Sequence, residues 1–65
     1  MPIVVVRMVN GRTAEQKRDL VRAVTDALVS TINCQRKNVH VLLEEMDSMN
    51  WGVGGQLPDE EGFMS

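Results

Sequence analysis

The stretch PIVVVRMVNGRTAEQ, residues 2–16, contains the signals of a strand, a turn and a helix start in succession. Its four consecutive β-branched residues, 3–6, are typical of a strand covered on both faces. Asn10-Gly11 is a turn signal. Thr13 and Gln16 have the spacing of a capping box, in which each side chain accepts a hydrogen bond from the other residue's backbone. The stretch therefore predicts a strand over residues 2–9 and a helix that begins near residue 13.

The remainder of the chain completes a strand-helix-strand unit. Apolar side chains recur at helical spacing at Leu20, Val24, Leu28 and Ile32. Asn33 is a typical left-handed helix stop, so we expect a helix over 13–32. An apolar run from Val39 predicts a second strand over 39–46, and glycines around Val53 predict a tight turn or small hairpin. The expected fold class is α/β, a β-α-β subunit in which the crossover makes the two strands parallel.

The size of the chain predicts an oligomer of single-domain subunits. Its 65 residues, 1–65, suffice for one domain, and a domain of this size is marginally stable alone. Cys34 is the only cysteine, which excludes an internal disulfide, and one cysteine with one histidine is too few for a structural zinc site. A two-stranded parallel sheet with one helix also leaves one sheet face open. We therefore expect that face to contact another subunit.

The charge and hydropathy of the chain limit the classes of partner that it can bind. The formal net charge is −2, and the basic residues form no single block, which argues against nucleic acid. No apolar run approaches the ~20 residues that cross a bilayer, and we expect neither a signal peptide nor membrane association. A lone cysteine fits a reducing cytoplasm. The sequence thus predicts a cytoplasmic protein.

Pro2 is the candidate catalytic residue. A small residue at this position normally allows an initiator Met1 to be removed, which would leave a secondary amine at the N-terminus. An α-amino group titrates near pH ~8, and apolar surroundings or a nearby cation lower that value toward the range that suits a general base. If Met1 is retained, the nitrogen is an amide without useful basicity. Taken alone, a Met-Pro start is more often a strand entry at which no backbone donor is needed.

Several segments together resemble one known family. They are Pro2 with the valine-rich strand, Asn10-Gly11-Arg12-Thr13 before Glu15-Gln16-Lys17, Glu44-Glu45-Met46, and Trp51-Gly52-Val53-Gly54-Gly55. Over about residues 2–57 the chain resembles the 4-oxalocrotonate tautomerase family of the tautomerase superfamily. The resemblance implies β-α-β subunits that form a homo-oligomer, a hexamer built as a trimer of dimers. It also implies a keto–enol tautomerase, an isomerase that uses no cofactor and no metal and acts on a small unsaturated 2-oxo acid.

The resemblance also implies roles for four residues. Pro2 matches the catalytic base, and Arg12 matches an arginine that holds a substrate carboxylate, a role that suits a bidentate, permanently charged guanidinium. Trp51 matches an aromatic wall of the pocket, commonly Phe, whose apolar surface keeps the proline amine unprotonated. His40 stands where the family has a second arginine that polarises the oxo group. Histidine has no fork and is ordinarily neutral at pH 7, so the substitution weakens transition-state binding by about 3 kcal/mol, the scale of one oxyanion donor.

Without the resemblance, the same residues have ordinary interpretations. An exposed arginine in a turn is usually a solvated charge, a single tryptophan usually packs a core or an interface, and a strand histidine is usually a satisfied side chain. The strand alternation places 2, 4, 6 and 8 on one face and 40 and 42 on one face, and we expect these faces to coincide so that His40 lies beside Pro2. Arg7 falls on the face opposite Pro2, so we expect no catalytic role for it.

Three functions remain open on the sequence. The first is a cofactor-independent tautomerase that uses Pro2. The second is a related reaction on another unsaturated or 3-oxo acid, such as hydration, dehalogenation or decarboxylation, with His40 marking the change. The third is a non-catalytic subunit that pairs with a complete paralogue.

Overall fold

A computed structural model describes residues 1–63 of the chain. Strand β1 spans Ile3–Val9, helix α1 spans Ala14–Ile32 and strand β2 spans His40–Met46. Two short 3-10 turns follow α1 and β2, at Arg36–Asn38 and Ser48–Asn50. The predicted β-α-β order is confirmed, and each predicted boundary lies within one residue of the observed one.

Within residues 1–63 the sheet consists of β1 and β2, and they run parallel as predicted. Their register runs from Ile3 opposite His40 to Val9 opposite Met46. One further hydrogen bond extends the ladder at each end. The backbone N–H of His40 donates to the carbonyl of Pro2 at 3.0 Å, and that of Asn10 donates to the carbonyl of Met46 at 2.8 Å.

Local chemistry fixes both ends of α1. At the start, the N–H of Gln16 donates to the Thr13 hydroxyl at 3.1 Å, and the N–H of Thr13 donates to the Gln16 side-chain oxygen at 2.9 Å. This is the predicted capping box. At the end, Asn33 takes a left-handed conformation with φ 59° and ψ 42°, also as predicted.

The face of α1 that packs on the sheet is shorter than the sequence pattern predicts. Leu20, Val24 and Leu28 are half-buried, but Ile32 is 57% exposed. The helix of 19 residues is about 28 Å long, whereas a seven-residue strand spans about 23 Å. The prediction of Ile32 as a packed position is therefore wrong for one subunit.

The two sheet faces differ in their surroundings. On the helix side Val4, Val6, Val41 and Leu43 are half-buried. The opposite surface, called here the open face, carries Ile3, Val5, Arg7, His40, Leu42 and Glu44. Ile3 is 60% exposed, Val5 41% and Leu42 52%. The prediction that both faces of β1 are covered is therefore not met within one subunit, because the only layer in the described chain is α1.

One subunit has no closed core. No side chain among residues 1–63 is buried. The radius of gyration is 15.7 Å, against about 11 Å for a compact chain of this length. The accessible surface is 5004 Å², about a fifth more than the ~4,200 Å² expected for a folded monomer of 7.3 kDa. One subunit therefore leaves much of its apolar surface exposed, including Ile3, Ile32 and Leu42.

After β2 the chain forms the predicted small hairpin. The N–H of Val53 donates to the carbonyl of Gln56 at 2.9 Å, and the N–H of Gln56 donates back at 3.0 Å. Gly54 and Gly55 form the two-residue turn with φ 61° and 84°, backbone angles that residues with a Cβ rarely adopt. Among residues 1–63, no helix is long and apolar enough to cross a membrane.

Candidate active site

Pro2 lies where β1 begins, at the end of the sheet where β2 also begins. Its side chain is half-buried and its carbonyl accepts the hydrogen bond from His40. Met1, by contrast, is 81% exposed. The ladder therefore holds Pro2 from its carbonyl side, while the Met1 side chain contributes almost no packing.

His40 and Pro2 lie on different faces of their own sheet. The register aligns odd-numbered residues of β1 with even-numbered residues of β2, so His40 is opposite Ile3 on the open face. Pro2 continues the half-buried alternation of Val4 and Val6 on the helix side. The expectation that His40 points to the side of Pro2 is thus wrong within one subunit. His40 remains next to Pro2 along the backbone but faces the space that another copy would occupy.

Arg12 lies at the other end of the sheet. It follows the Asn10-Gly11 turn, and Gly11 has φ 117°, a conformation that favours glycine. The Arg12 guanidinium donates to the carbonyl of Val9 at 3.3 Å. Within residues 1–63 it forms no ion pair, so its charge is available to an external carboxylate.

Trp51 lies at the same end as Arg12. The 3-10 turn before it is capped by Asp47, whose carboxylate accepts from the backbone N–H of Met49 at 2.9 Å. Trp51 is 42% exposed and lines a cavity of about 350 Å³. The lining residues are Val9, Ser48, Trp51, Pro58 and Phe63. We call this space the apolar cavity.

Sequence reasoning did not identify Ser48, Pro58 or Phe63 as pocket residues. Three of the five residues 58–62 are acidic, which is typical of a solvated tail. The signal was present in the two apolar residues that border this acidic run, Pro58 and Phe63. The hairpin at 53–56 turns the chain back, and the Gln56 amide donates to the carbonyl of Glu61 at 3.1 Å, which holds the tail in place.

One subunit does not bring the four predicted site residues together. Pro2 and His40 are at one end of the sheet, and Arg12 and Trp51 are at the other. With a rise of about 3.3 Å per residue, the eight steps from Pro2 to Asn10 span about 25 Å. That separation is too large for one small acid to touch Pro2 and Arg12 of the same chain.

Four other basic side chains, Arg7, Lys17, Arg22 and Arg36, have carboxylate partners within the subunit. On the open face Arg7 pairs with Glu44 at 2.8 Å, and on the helix side Lys17 pairs with Glu45. The two glutamates face opposite ways, as their adjacent strand positions predict. Arg7 is on the face opposite Pro2, also as predicted.

A wider groove of about 550 Å³ lies beside α1, where Arg36 and Val39 also line it, and contains none of the predicted site residues. Its basic lining residues are Lys17, Arg18, Arg22 and Arg36. Asp19 pairs with Arg22 at 3.3 Å and Asp26 pairs with Arg36 at 2.6 Å. We interpret this groove as a solvated helix surface. In the part of the chain that the structure describes, no three His, Cys, Asp or Glu side chains converge as metal ligands.

Known proteins resemble the chain over most of its length. Residues 2–60 match the family model described as tautomerase enzyme. A probable tautomerase from Halalkalibacterium halodurans is 48% identical over 56 residues, which cover 86% of this chain and 92% of that protein.

Two solved structures share the fold. YwhB, a homologue of 4-oxalocrotonate tautomerase, superposes with a TM-score of 0.84 at 41% identity, over 92% of this chain and 100% of that one. A heterohexamer 4-oxalocrotonate tautomerase from Chloroflexus aurantiacus superposes with a TM-score of 0.82 at 30% identity, over 94% of this chain and 98% of that one. The sequence match and the shared β-α-β architecture agree, and the chain belongs to the tautomerase family.

Proposed function

We propose that this protein is a cofactor-independent tautomerase that moves a proton within an unsaturated 2-oxo acid, with Pro2 as the base after removal of Met1. The observation that carries the proposal is the family match over residues 2–60, whose first matched residue is Pro2 itself. The 81% exposure of Met1 supports its removal, because the fold loses almost no packing with it.

The proposed chemistry conserves all atoms. The free proline amine takes a proton from one position of the substrate, and the resulting prolinium returns a proton to a different carbon of the same molecule. A secondary amine in partly apolar surroundings suits both steps, since its proton affinity lies near neutral pH. The ladder bond from His40 to the Pro2 carbonyl would hold the ring in place during both transfers.

The proposed site forms between subunits. β1 uses one edge for β2, and its other edge has unpaired backbone groups. Two copies paired antiparallel along that edge and centred on Val6 would place Pro2 opposite Asn10 of the partner, near the Arg12 and Trp51 that follow it. In this arrangement Arg12 holds the carboxylate and Trp51 forms the apolar wall, while His40 stays next to Pro2 along the backbone and on the open face.

The proposed assembly is a homo-hexamer, a trimer of such dimers. It is supported by the absence of any buried side chain among residues 1–63 and by the exposed aliphatic side chains of the open face, Ile3, Val5 and Leu42. The related Chloroflexus aurantiacus protein is itself a heterohexamer. We place the assembly in the reducing cytoplasm, where a lone cysteine stays reduced.

The test combines two measurements on the purified native protein. Intact mass should show loss of Met1, and Pro2→Ala should lower kcat/KM for an enol acid by two or more orders of magnitude. It should also shift the pH–rate profile, because alanine leaves a primary amine of different basicity. Sedimentation of the variant is the control for assembly. A retained Met1, or a pH–rate profile that the substitution leaves unchanged, would refute the base assignment.

The heterohexameric relative also favours a second candidate, a non-catalytic subunit of a mixed assembly. His40 fits this candidate because it offers no permanent charge to a substrate. The two candidates differ in a simple assay: a catalytic homo-oligomer is active when purified alone, whereas an accessory subunit requires its paralogue.

A further inference from the structure

The candidate site residue Arg12 lies between two anchored positions of the backbone. Before it, the N–H of Asn10 donates to the carbonyl of Met46, where β2 ends, at 2.8 Å. After it, Thr13 caps α1, and its carbonyl accepts from the N–H of Lys17 at 3.0 Å. The position of Arg12 therefore depends on how the start of α1 is held against the end of β2.

The Lys17 side chain attaches the start of α1 to the sheet. Residues 11–16 are all exposed, and Lys17 is the first half-buried residue of the helix. Its ammonium group donates to the carboxylate of Glu45 on the helix side of β2. The next half-buried residue of α1 is Leu20, three positions later. The turn of α1 that follows Arg12 therefore relies on this ion pair for its attachment to the sheet.

The Lys17–Glu45 ion pair is better shielded from water than the others. Its two side chains are 33% and 28% exposed, whereas the side chains of the other three ion pairs within residues 1–63 are at least 54% exposed. Exposed pairs contribute little because solvent and salt screen them, and shielded pairs are screened less. Of these four ion pairs, it is also the one that joins α1 to β2.

The same ion pair connects the two segments that carry Arg12 and Trp51. Glu45 is the last but one residue of β2, and Asp47 caps the 3-10 turn that leads to Trp51. Arg12 precedes the cap of α1, one helical turn before Lys17. A shift of α1 relative to β2 would therefore change the distance between the guanidinium and the indole ring of one subunit.

We propose that Lys17 and Glu45 are positioning residues that hold Arg12 at the distance from Trp51 that a substrate carboxylate requires. Neither residue touches the substrate. They act through Arg12, because a bidentate contact with a carboxylate needs the guanidinium in one orientation and small misplacements weaken such contacts strongly. The inference rests on the proposed tautomerase function, since it specifies what keeps that site in shape.

The kinetic test uses Glu45→Gln, which removes the charge and keeps the shape of the side chain, with 2-hydroxypenta-2,4-dienoate as a substrate that has one carboxylate. We expect KM to rise about tenfold and kcat to change less than about twofold, because the weakened contact binds the ground state and the transition state alike. Lys17→Met should raise KM equally, and the double variant should add nothing, because the two residues act as a unit. Lys17→Arg keeps a cation for Glu45 and should leave KM near its original value.

Asp26→Asn is the matched control. It removes the ion pair of 2.6 Å between Asp26 and Arg36, which joins α1 to the turn before β2, away from Arg12. We expect KM to be unchanged in this variant. If Lys17 and Glu45 only stabilise the fold, their loss would reduce the assembled fraction and lower the apparent kcat at constant KM. That result, or an equal rise of KM in Asp26→Asn, would overturn the positioning role.

A binding test separates this inference from the catalytic proposal. The chain has one tryptophan, Trp51, so its fluorescence reports an acid bound beside it. Pentanoate has the carboxylate but no enol to convert, and we expect Glu45→Gln to raise its Kd about tenfold while Asp26→Asn leaves it unchanged. An unchanged Kd in Glu45→Gln would overturn the positioning role and leave the tautomerase intact. A raised Kd without turnover of any enol acid by the native protein would contradict the proposed function alone.

Discussion

Leu42→Ala should weaken the association of subunits. Leu42 is 52% exposed on the open face, next to Val5 across the sheet. Complete burial of a leucine side chain is worth about 1.5–3 kcal/mol, so covering the exposed half of Leu42 contributes about 1 kcal/mol per copy. A contact between two copies related by a twofold axis contains the residue twice. The substitution should therefore cost about 2 kcal/mol, or about a 30-fold increase in the dissociation constant.

Sedimentation velocity over a range of concentrations measures this shift directly. Ile32→Ala is the matched control, because Ile32 is 57% exposed and also aliphatic but lies at the end of α1 rather than on the sheet. Association that Leu42→Ala leaves unchanged would refute the assignment of the open face as an interface. Equal weakening by both substitutions would show that the effect comes from general loss of apolar surface.

Two further substitutions test the site and the fold. His40→Arg should raise kcat/KM for a dicarboxylate 2-oxo dienoate about tenfold to a hundredfold, the value of one charged hydrogen bond, with a smaller change for a monoacid. Steady-state kinetics on the two substrates measures these changes. An equal fall in kcat/KM for the two substrates would mean that His40 packs the interface or has chemistry of its own. Thr13→Ala removes the capping hydroxyl that accepts from Gln16, so it should lower stability by about 1 kcal/mol and the melting temperature by about 4–8 °C. Thermal circular dichroism with Thr13→Ser as the control tests this, and a serine variant that melts with the alanine variant would contradict a role for the hydroxyl.

The features that the sequence predicted well depend on neighbours along the chain. The capping box of Thr13, the left-handed Asn33 and the glycine turn at 54–55 are each fixed by a few local hydrogen bonds or by backbone conformation. The alternation of faces within each strand is also local, which explains why Arg7 lies opposite Pro2 as expected.

The features that it missed depend on contacts far apart in sequence. The register between the strands decides which residues of β1 lie on the same sheet face as His40. That register depends on how α1 packs on the sheet and on how the loops connect α1 to the strands. The alternation of side chains within β2 does not indicate how β2 is aligned with β1. Phe63 lines the apolar cavity after the hairpin has reversed the chain, and Ile32 is exposed at the end of a helix that is longer than the strands. The ~25 Å between Pro2 and Asn10 likewise follows from the extended strand.

Because no side chain in residues 1–63 is buried, the stability of the protein should depend on its concentration in the cell. Since the core of such a protein exists only where copies meet, unfolding and dissociation become one equilibrium governed by mass action. The melting temperature should then rise with concentration, and dilution should eventually unfold the chain rather than release a folded monomer. A modest fall in expression would act like a destabilising mutation, because the unassembled chains are those that proteases remove.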